Sequence, residues 1–335
     1  MLKNRRRIIL LLYLAMLCLM LSSCAPGREE TNGPPATTQN ENVSHEEDTG
    51  SPANNQEENV ADGRMTFLFF SDTQADPETG DYSAFGELLS LAVKREETPG
   101  LILFGGDTVN DGGDASEWRD FWDAASAPLS GLITAAAAGN HDNYPLLTEQ
   151  FDYPTHAPAE QGGGYFYSFT EGIVHFLMLD SNIMGAAREA EIIWMTSDLQ
   201  NKSAAQATWR VAVMHHPMWP VNANPKDEAR AQTMREHFLP AMEAYAVDLI
   251  LCGHQHVYAR SLPMKGDAVS PDGKGITQVM AASGGKGSYT ANITDFLELN
   301  GSAPNYLLIE ADYESLNITA FNGENEPMDI FTILR

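Results

Sequence analysis

Nine histidines occur in the 335-residue sequence, and five of them fall in short polar motifs that each follow an apolar run. In chain order the motifs are Ser71-Asp72-Thr73-Gln74, Gly105-Gly106-Asp107, Gly139-Asn140-His141-Asp142, Met214-His215-His216-Pro217 and Gly253-His254-Gln255-His256. This mixture of side chains suits two neighbouring metal ions. A carboxylate can bridge them, neutral imidazoles supply nitrogen, and carboxylate or amide oxygens complete the set. His254 and His256, at i and i+2, share one side wherever the backbone stays extended, and could then serve both ions. A single Gly-Asp is most often a turn, and a single His at the end of a strand is most often a satisfied structural residue. Five such endings in succession are read together as one site.

The elements that must position these endings follow from hydrophobic periodicity. The run at 101–105, Leu-Ile-Leu-Phe-Gly, is short, continuous and closed by glycine, which fits a buried central strand with Asp107 at its carboxyl end. Similar strands are predicted over 65–71, 132–138, 209–214 and 247–252. Apolar residues at helical spacing predict helices over 82–95, 116–125, 188–200 and 226–238, with Pro240 breaking or restarting the last. A hairpin is predicted for 165–169 and 173–179 around Glu171-Gly172, and residues 143–163 read as a loop rich in Pro and Gly. Strand patterns alone follow: 256–262, 275–283, 305–311, 316–321 and 330–334. Helices and strands alternate early and strands dominate late, which two packed sheets with helices outside would accommodate.

The chain does not begin with this domain. Lys3, Arg5, Arg6 and Arg7 precede an apolar run over 8–21 that ends Leu21-Ser22-Ser23-Cys24. This reads as a secretory signal over residues 1–23 with a lipobox, so that Cys24 carries a lipid; the other reading is an uncleaved N-terminal anchor. Either one tethers the domain outside the cytoplasm, at the bacterial membrane. Residues 24–63, polar and nearly free of large apolar side chains, read as a flexible stalk. The folded domain is expected over 64–335. Cys18 and Cys24 lie before it, so Cys252 is the sole cysteine left and reads as a buried small hydrophobe rather than a nucleophile. The formal charge is −26, and removal of four basic residues with the signal would take it to about −30. No Lys/Arg cluster exists outside the signal, which argues against a nucleic-acid partner.

The order Ser-Asp-x-Gln, Gly-Gly-Asp, Gly-Asn-His-Asp, Met-His-His-Pro, Gly-His-x-His resembles that of the calcineurin-like metallophosphoesterases. Residues 213–219 and 253–261 look closest to the purple acid phosphatase branch. The resemblance covers 65–312 and implies a four-layer α/β/β/α sandwich of two mixed sheets with a dinuclear metal site. On that basis Asp107 bridges both ions, Asp72 and His256 complete most of the first site, and Asn140, His215 and His254 complete the second. His141 would touch phosphoryl oxygens or protonate the leaving group, and His216 would either support a ligand or contact substrate. The implied cofactors are two divalent or trivalent ions such as Fe, Mn or Zn, and the implied substrate is a small phosphorylated molecule. Two ions lower the pKa of a bound water and clamp both oxygens of an in-line displacement, so no nucleophilic side chain is needed.

Two positions depart from the family. Gln74 stands where the family often has His, and would offer the first site at most a weak amide ligand. Asn110 stands where the purple branch has a ligand tyrosine, and reads as a turn residue in Asn-Asp-Gly-Gly. Tyr144 and Trp219 adjoin the motifs and could stack on an organic leaving group, though Trp219 fits core packing as well; Tyr258 and Arg260 read as structural. The leading expectation is phosphomonoester hydrolysis. The alternatives are a phosphodiesterase or nucleotidase on the same site, and a binding lipoprotein whose site has decayed.

Overall fold

The structure, a computed structural model, describes residues 63–95, 99–153, 164–292 and 294–335. The signal, Cys24 and nearly all of the stalk lie outside the described residues. Among those described, no helix is long and apolar enough to cross a membrane.

Two mixed sheets carry the fold. The first contains β1 (Met65–Phe70), β2 (Leu101–Phe104), β3 (Ile133–Ala136), β13 (Asn305–Ala311), β14 (Ser315–Asn322) and β15 (Pro327–Leu334), in the order β15-β14-β13-β1-β2-β3. The second contains β4 (Tyr167–Glu171), β5 (Val174–Met178), β6 (Trp209–Val213), β7 (Leu249–Cys252), β8 (Val257–Ser261), β11 (Thr277–Met280) and β12 (Leu297–Ser302), in the order β12-β8-β11-β7-β6-β5-β4. A two-stranded ribbon, β9 (Met264–Lys265) and β10 (Ala268–Val269), stands apart. The central strands β1, β2 and β3 are parallel, as are β5, β6, β7 and β11. Their carboxyl ends therefore point the same way within each sheet, which is what gathers the polar endings.

Alternation along β1 assigns the layers. Phe67 faces the second sheet, where its ring meets Phe176 edge-on at 5.2 Å. Phe70 faces outward onto Phe85 of α1 (Ser83–Val93), and Phe85 in turn stacks with Phe121 of α2 (Ala115–Leu129). On the far face of the second sheet, Ile250, Ala212 and Cys252 pack with Met195, Leu199, Met234 and Met242. These come from α4 (Ala186–Leu199), α6 (Pro225–His237) and α7 (Leu239–Ala244). The result is helices, sheet, sheet, helices: the four-layer sandwich expected. Both sheets are buried on two sides, which explains why their central strands read as unbroken apolar runs.

Some local expectations change. α2 runs on to Leu129 because Ala, Ser and Ala continue it, and Pro128 sits in its final turn. Residues 144–148, expected as loop, form the short helix α3 (Tyr144–Thr148), with Pro145 in its first turn and the Asn143 side chain accepting from the Leu146 amide. The five-residue α5 (Lys202–Gln206), the β9–β10 ribbon and the edge strand β12 were not predicted. Pro240 restarts the chain as α7 after α6 ends at His237. Cys252 is fully buried, and burial together with Asp72 pushes its thiol well above the usual range, so it is inert as a nucleophile.

Candidate metal centre

Asp72 and Asp107 occupy the first positions beyond the Ser71 and Gly106 that follow β1 and β2, and both have left-handed backbones, with φ of 49° and 51°. His254 and His256 share that conformation, at 71° and 44°. The condition for His254 and His256 to share one side, an extended backbone, is therefore not met: the chain coils after β7 and sends the two imidazoles to different carboxylates. Four non-glycine residues in a sparsely allowed region, all at one site, are held there by the elements around them.

Close approach explains two of the motif glycines. A Cβ on Gly253 would lie 2.1 Å from Asp72 Oδ2, and one on Gly139 would lie 2.1 Å from Asp107 Oδ1. Only glycine lets these carboxylates sit against the neighbouring strand end.

One corner of the site is built around Asp107. Its Oδ2 lies 3.2 Å from His215 Nε2, and its Oδ1 accepts from the His141 amide at 2.8 Å. His215 Nδ1 donates to the Gly105 carbonyl at 3.0 Å, which fixes the tautomer and leaves Nε2 for an ion. His254 Nε2 donates to Asp227 Oδ1 at 3.1 Å, leaving Nδ1 as its lone-pair atom. The ligand atoms of Asp107, His215 and His254 all lie within 4.8 Å of one another. Burial opposes the charge on Asp107, but His215 and the His141 amide outweigh it and hold the carboxyl below its ordinary range. Burial likewise opposes the charge on His215, yet Asp107 and Asp72 carry its pKa up to about 9.

The other corner is built around Asp72. Oδ2 accepts from Ser71 Oγ and from the His254 amide, each at 2.8 Å. Oδ1 lies 3.3 Å from His256 Nε2, and His256 Nδ1 donates to the Gly287 carbonyl at 3.1 Å. Gln74 is fully buried, and neither its Oε1 nor its Nε2 has a hydrogen-bond partner. Asp72 Oδ1 and His215 Nε2 are also buried without a hydrogen-bond partner. Buried polar atoms cost about 1–3 kcal/mol each when left unpaired, so the acceptors of this set, Gln74 Oε1, Asp72 Oδ1 and His215 Nε2, suit cations.

His141 stands on the open side. Its Nδ1 donates to the Asn110 carbonyl at 2.6 Å, and its Nε2 is 3.9 Å from Asp107 Oδ2. Asn110 thus contributes its main chain, in a turn. Asn140 follows β3 at an exposed position, one residue before His141. His216 differs from the others. It is 3% exposed; its amide donates to Ser181 Oγ, and that hydroxyl is also hydrogen-bonded to His216 Nδ1 at 2.8 Å. Its ring lies 4.2 Å from that of His254. Burial, His215, His254 and Arg230 press its pKa well below the usual value.

Three contributors were not picked out from sequence. Asp142 accepts from the amides of Asp107, Thr108 and Gly139, tying the ends of β2 and β3 together. Its place in Gly-Asn-His-Asp was the available signal. Asp227, near the start of α6, holds both His254 and Gln255. Lys286, in the Gly-Gly-Lys-Gly run after β11, brings Nζ to 3.3 Å from His141 Nε2. Trp219 is 3% exposed and packs in the second sheet's outer core, so it is no stacking platform. Tyr258 and Arg260 both pair with Asp329 and are structural, as expected.

Residues 65–258 match the family model described as calcineurin-like phosphoesterase, and the chain belongs to that family. Purple acid phosphatase 23 of Arabidopsis thaliana is 28% identical over 149 residues, which is 42% of this chain and 32% of the relative. Phosphoenolpyruvate phosphatase of Allium cepa is 25% identical over 225 residues, 60% of this chain and 46% of the relative. The chain thus spans less than half the length of either. Among solved structures, the purple acid phosphatase PPD1 of yellow lupin superposes with a TM-score of 0.65 at 19% identity, covering 81% of this chain and 54% of that one. That likeness carries the fold.

Proposed function

We propose that the protein is an extracytoplasmic phosphoesterase, held at the membrane by lipid on Cys24, that hydrolyses small phosphomonoesters at a two-ion centre. One observation carries this reading: a single carboxylate, Asp107, stands between a His215–His254 pair and the open-side His141, while Asp72 and His256 form a second carboxylate–imidazole corner next to it. Asp107 would be shared by both ions. His215, His254 and Asn140 would complete one ion, and Asp72 and His256 the other, with Gln74 as a neutral oxygen donor. Bound there, the ions supply Lewis acidity and a water acidic enough to ionise near neutral pH. His141 Nε2 would bind a phosphoryl oxygen or move the proton of the leaving group. Both plant relatives are phosphatases by name, one of them for a phosphomonoester.

The test is a matrix of chromogenic mono- and diesters against manganese, zinc, iron, calcium and magnesium, run with the wild type and His141→Ala. Monoester turnover in the wild type is expected, with His141→Ala losing about a hundredfold on poor leaving groups and less on good ones. A preference for diesters would favour a phosphodiesterase or nucleotidase. Silence with every metal would favour a binding lipoprotein.

A further inference from the structure

The loop after β11 places a cation at the site that the family motifs do not include. Lys286 Nζ lies 3.3 Å from His141 Nε2, which itself lies 3.9 Å from Asp107 Oδ2. His141 Nδ1 must be the donor in its bond to the Asn110 carbonyl, and an ammonium has only hydrogens to give. In the contact between His141 and Lys286 the lysine is therefore the donor. The two side chains thus face one spot over the shared carboxylate.

The lysine is not a free surface side chain on a mobile loop. The amides of Ser283, Gly284 and Gly285 donate to the carbonyls of Ser71, Asp72 and Gln74 at 2.8–2.9 Å. One residue beyond Lys286, the Gly287 carbonyl accepts from His256 Nδ1. The Tyr289 amide donates to the His256 carbonyl at 3.1 Å, and its ring stacks on His256 at 4.5 Å. Gly284 is required by this fit, since a Cβ there would lie 2.4 Å from the Gln74 carbonyl oxygen. The backbone on both sides of Lys286 is therefore fixed to the residues of the Asp72 corner.

We propose that Lys286 contacts substrate: its ammonium binds a terminal phosphoryl oxygen and favours phosphomonoester dianions over diesters. The inference rests on the phosphoesterase reading above. A monoester dianion has three terminal oxygens and a charge of −2; a diester has two and a charge of −1. Were two terminal oxygens to face the ions of the proposed centre, only the monoester would keep a charged oxygen for Lys286. A charge-assisted bond from a fixed ammonium is among the stronger polar contacts. In a chain of net charge −26, it also offsets the repulsion of an anionic substrate at the mouth of the site.

The experiment compares wild type, Lys286→Met and Lys286→Arg, loaded with manganese and checked for metal content. It measures kcat/KM for a monoester and a diester with the same leaving group, and titrates inorganic phosphate by calorimetry. For Lys286→Met the monoester-to-diester ratio of kcat/KM is expected to fall about tenfold or more and phosphate to bind about tenfold more weakly, with Lys286→Arg retaining most of both. Equal loss on both esters, or unchanged phosphate affinity, overturns the proposal. So does loss of metal from Lys286→Met, which would make the loop a support for His256 alone. If the wild type hydrolyses neither ester, the phosphoesterase reading falls, and the phosphate titration by itself decides whether Lys286 binds a phosphoryl group.

Discussion

The two corners of the centre treat their polar atoms differently. Around Asp107, the distal nitrogens of His215 and His254 are taken up by the Gly105 carbonyl and the Asp227 carboxylate, and the His141 amide holds the carboxylate itself. Around Asp72, His256 Nδ1 is fixed in the same way by the Gly287 carbonyl, but neither polar atom of the buried Gln74 side chain has a hydrogen-bond partner. An imidazole whose far nitrogen is fixed is a stronger and better aimed ligand. A neutral amide oxygen is a weak one. If both corners hold ions, as proposed, the contrast makes the position at Asp72 the looser one.

Asp107 is the place to break that contrast, because in the proposed function it would serve both ions. Asp107→Asn is expected to empty both positions and lower turnover by roughly a thousandfold or more, read from metal analysis and initial rates. Two ions retained per chain would mean the corners do not share this carboxylate. Asp227→Asn acts on one corner only. It should weaken the tighter ion by about ten- to a hundredfold in a chelator competition and leave the looser one in place. Equal weakening of both would deny Asp227 its local role.

The ion-free protein offers a test through pH. The folded-state pKa of His215, about 9, lies above its ordinary value of 6.5. Its pairing with Asp107 therefore stabilises fully below about 6.5 and is lost as pH rises through about 9. Ion-free protein should lose a few degrees of Tm across that window. Ion-loaded protein, with His215 already neutral as a ligand, should lose less. An equal fall in both forms would remove His215 from the metal set. The smallest effect concerns the loose corner. Gln74→His should move the metal activation curve a few-fold toward lower concentration by replacing an unpartnered amide with a nitrogen ligand. A shift the other way would mean the amide is already satisfied by the ion, and that the two corners are equal.

Much of the architecture was open to sequence reading because both sheets are covered on two sides. Residues 101–104 and 249–252 are apolar without a break, and such runs can end only where the sheet does. That made the endings at Asp107 and His254 conspicuous. The conformation of His254 and His256 was not legible, since positive φ at a non-glycine residue leaves no periodic trace. Asp227 and Lys286 were hidden for a related reason: each is one charged residue in a polar stretch, and only the docking of α6 and of the 283–289 loop gives it a target. Helix α3 has five residues, too few to display a 3.6-residue period, and β12 exposes most of its side chains.

The bond from the His254 amide to Asp72 joins positions 182 residues apart, and the Ser283–Ser71 bond reaches farther still. Contacts of such separation form late, because the loops they close must lose their freedom first. The Asp72 corner can exist only after the last strands of the second sheet have docked beside the first strand of the other. Refolding followed by ion uptake should thus show binding competence arriving with the slowest phase. In kinetic terms the metal would find a finished cradle rather than template one.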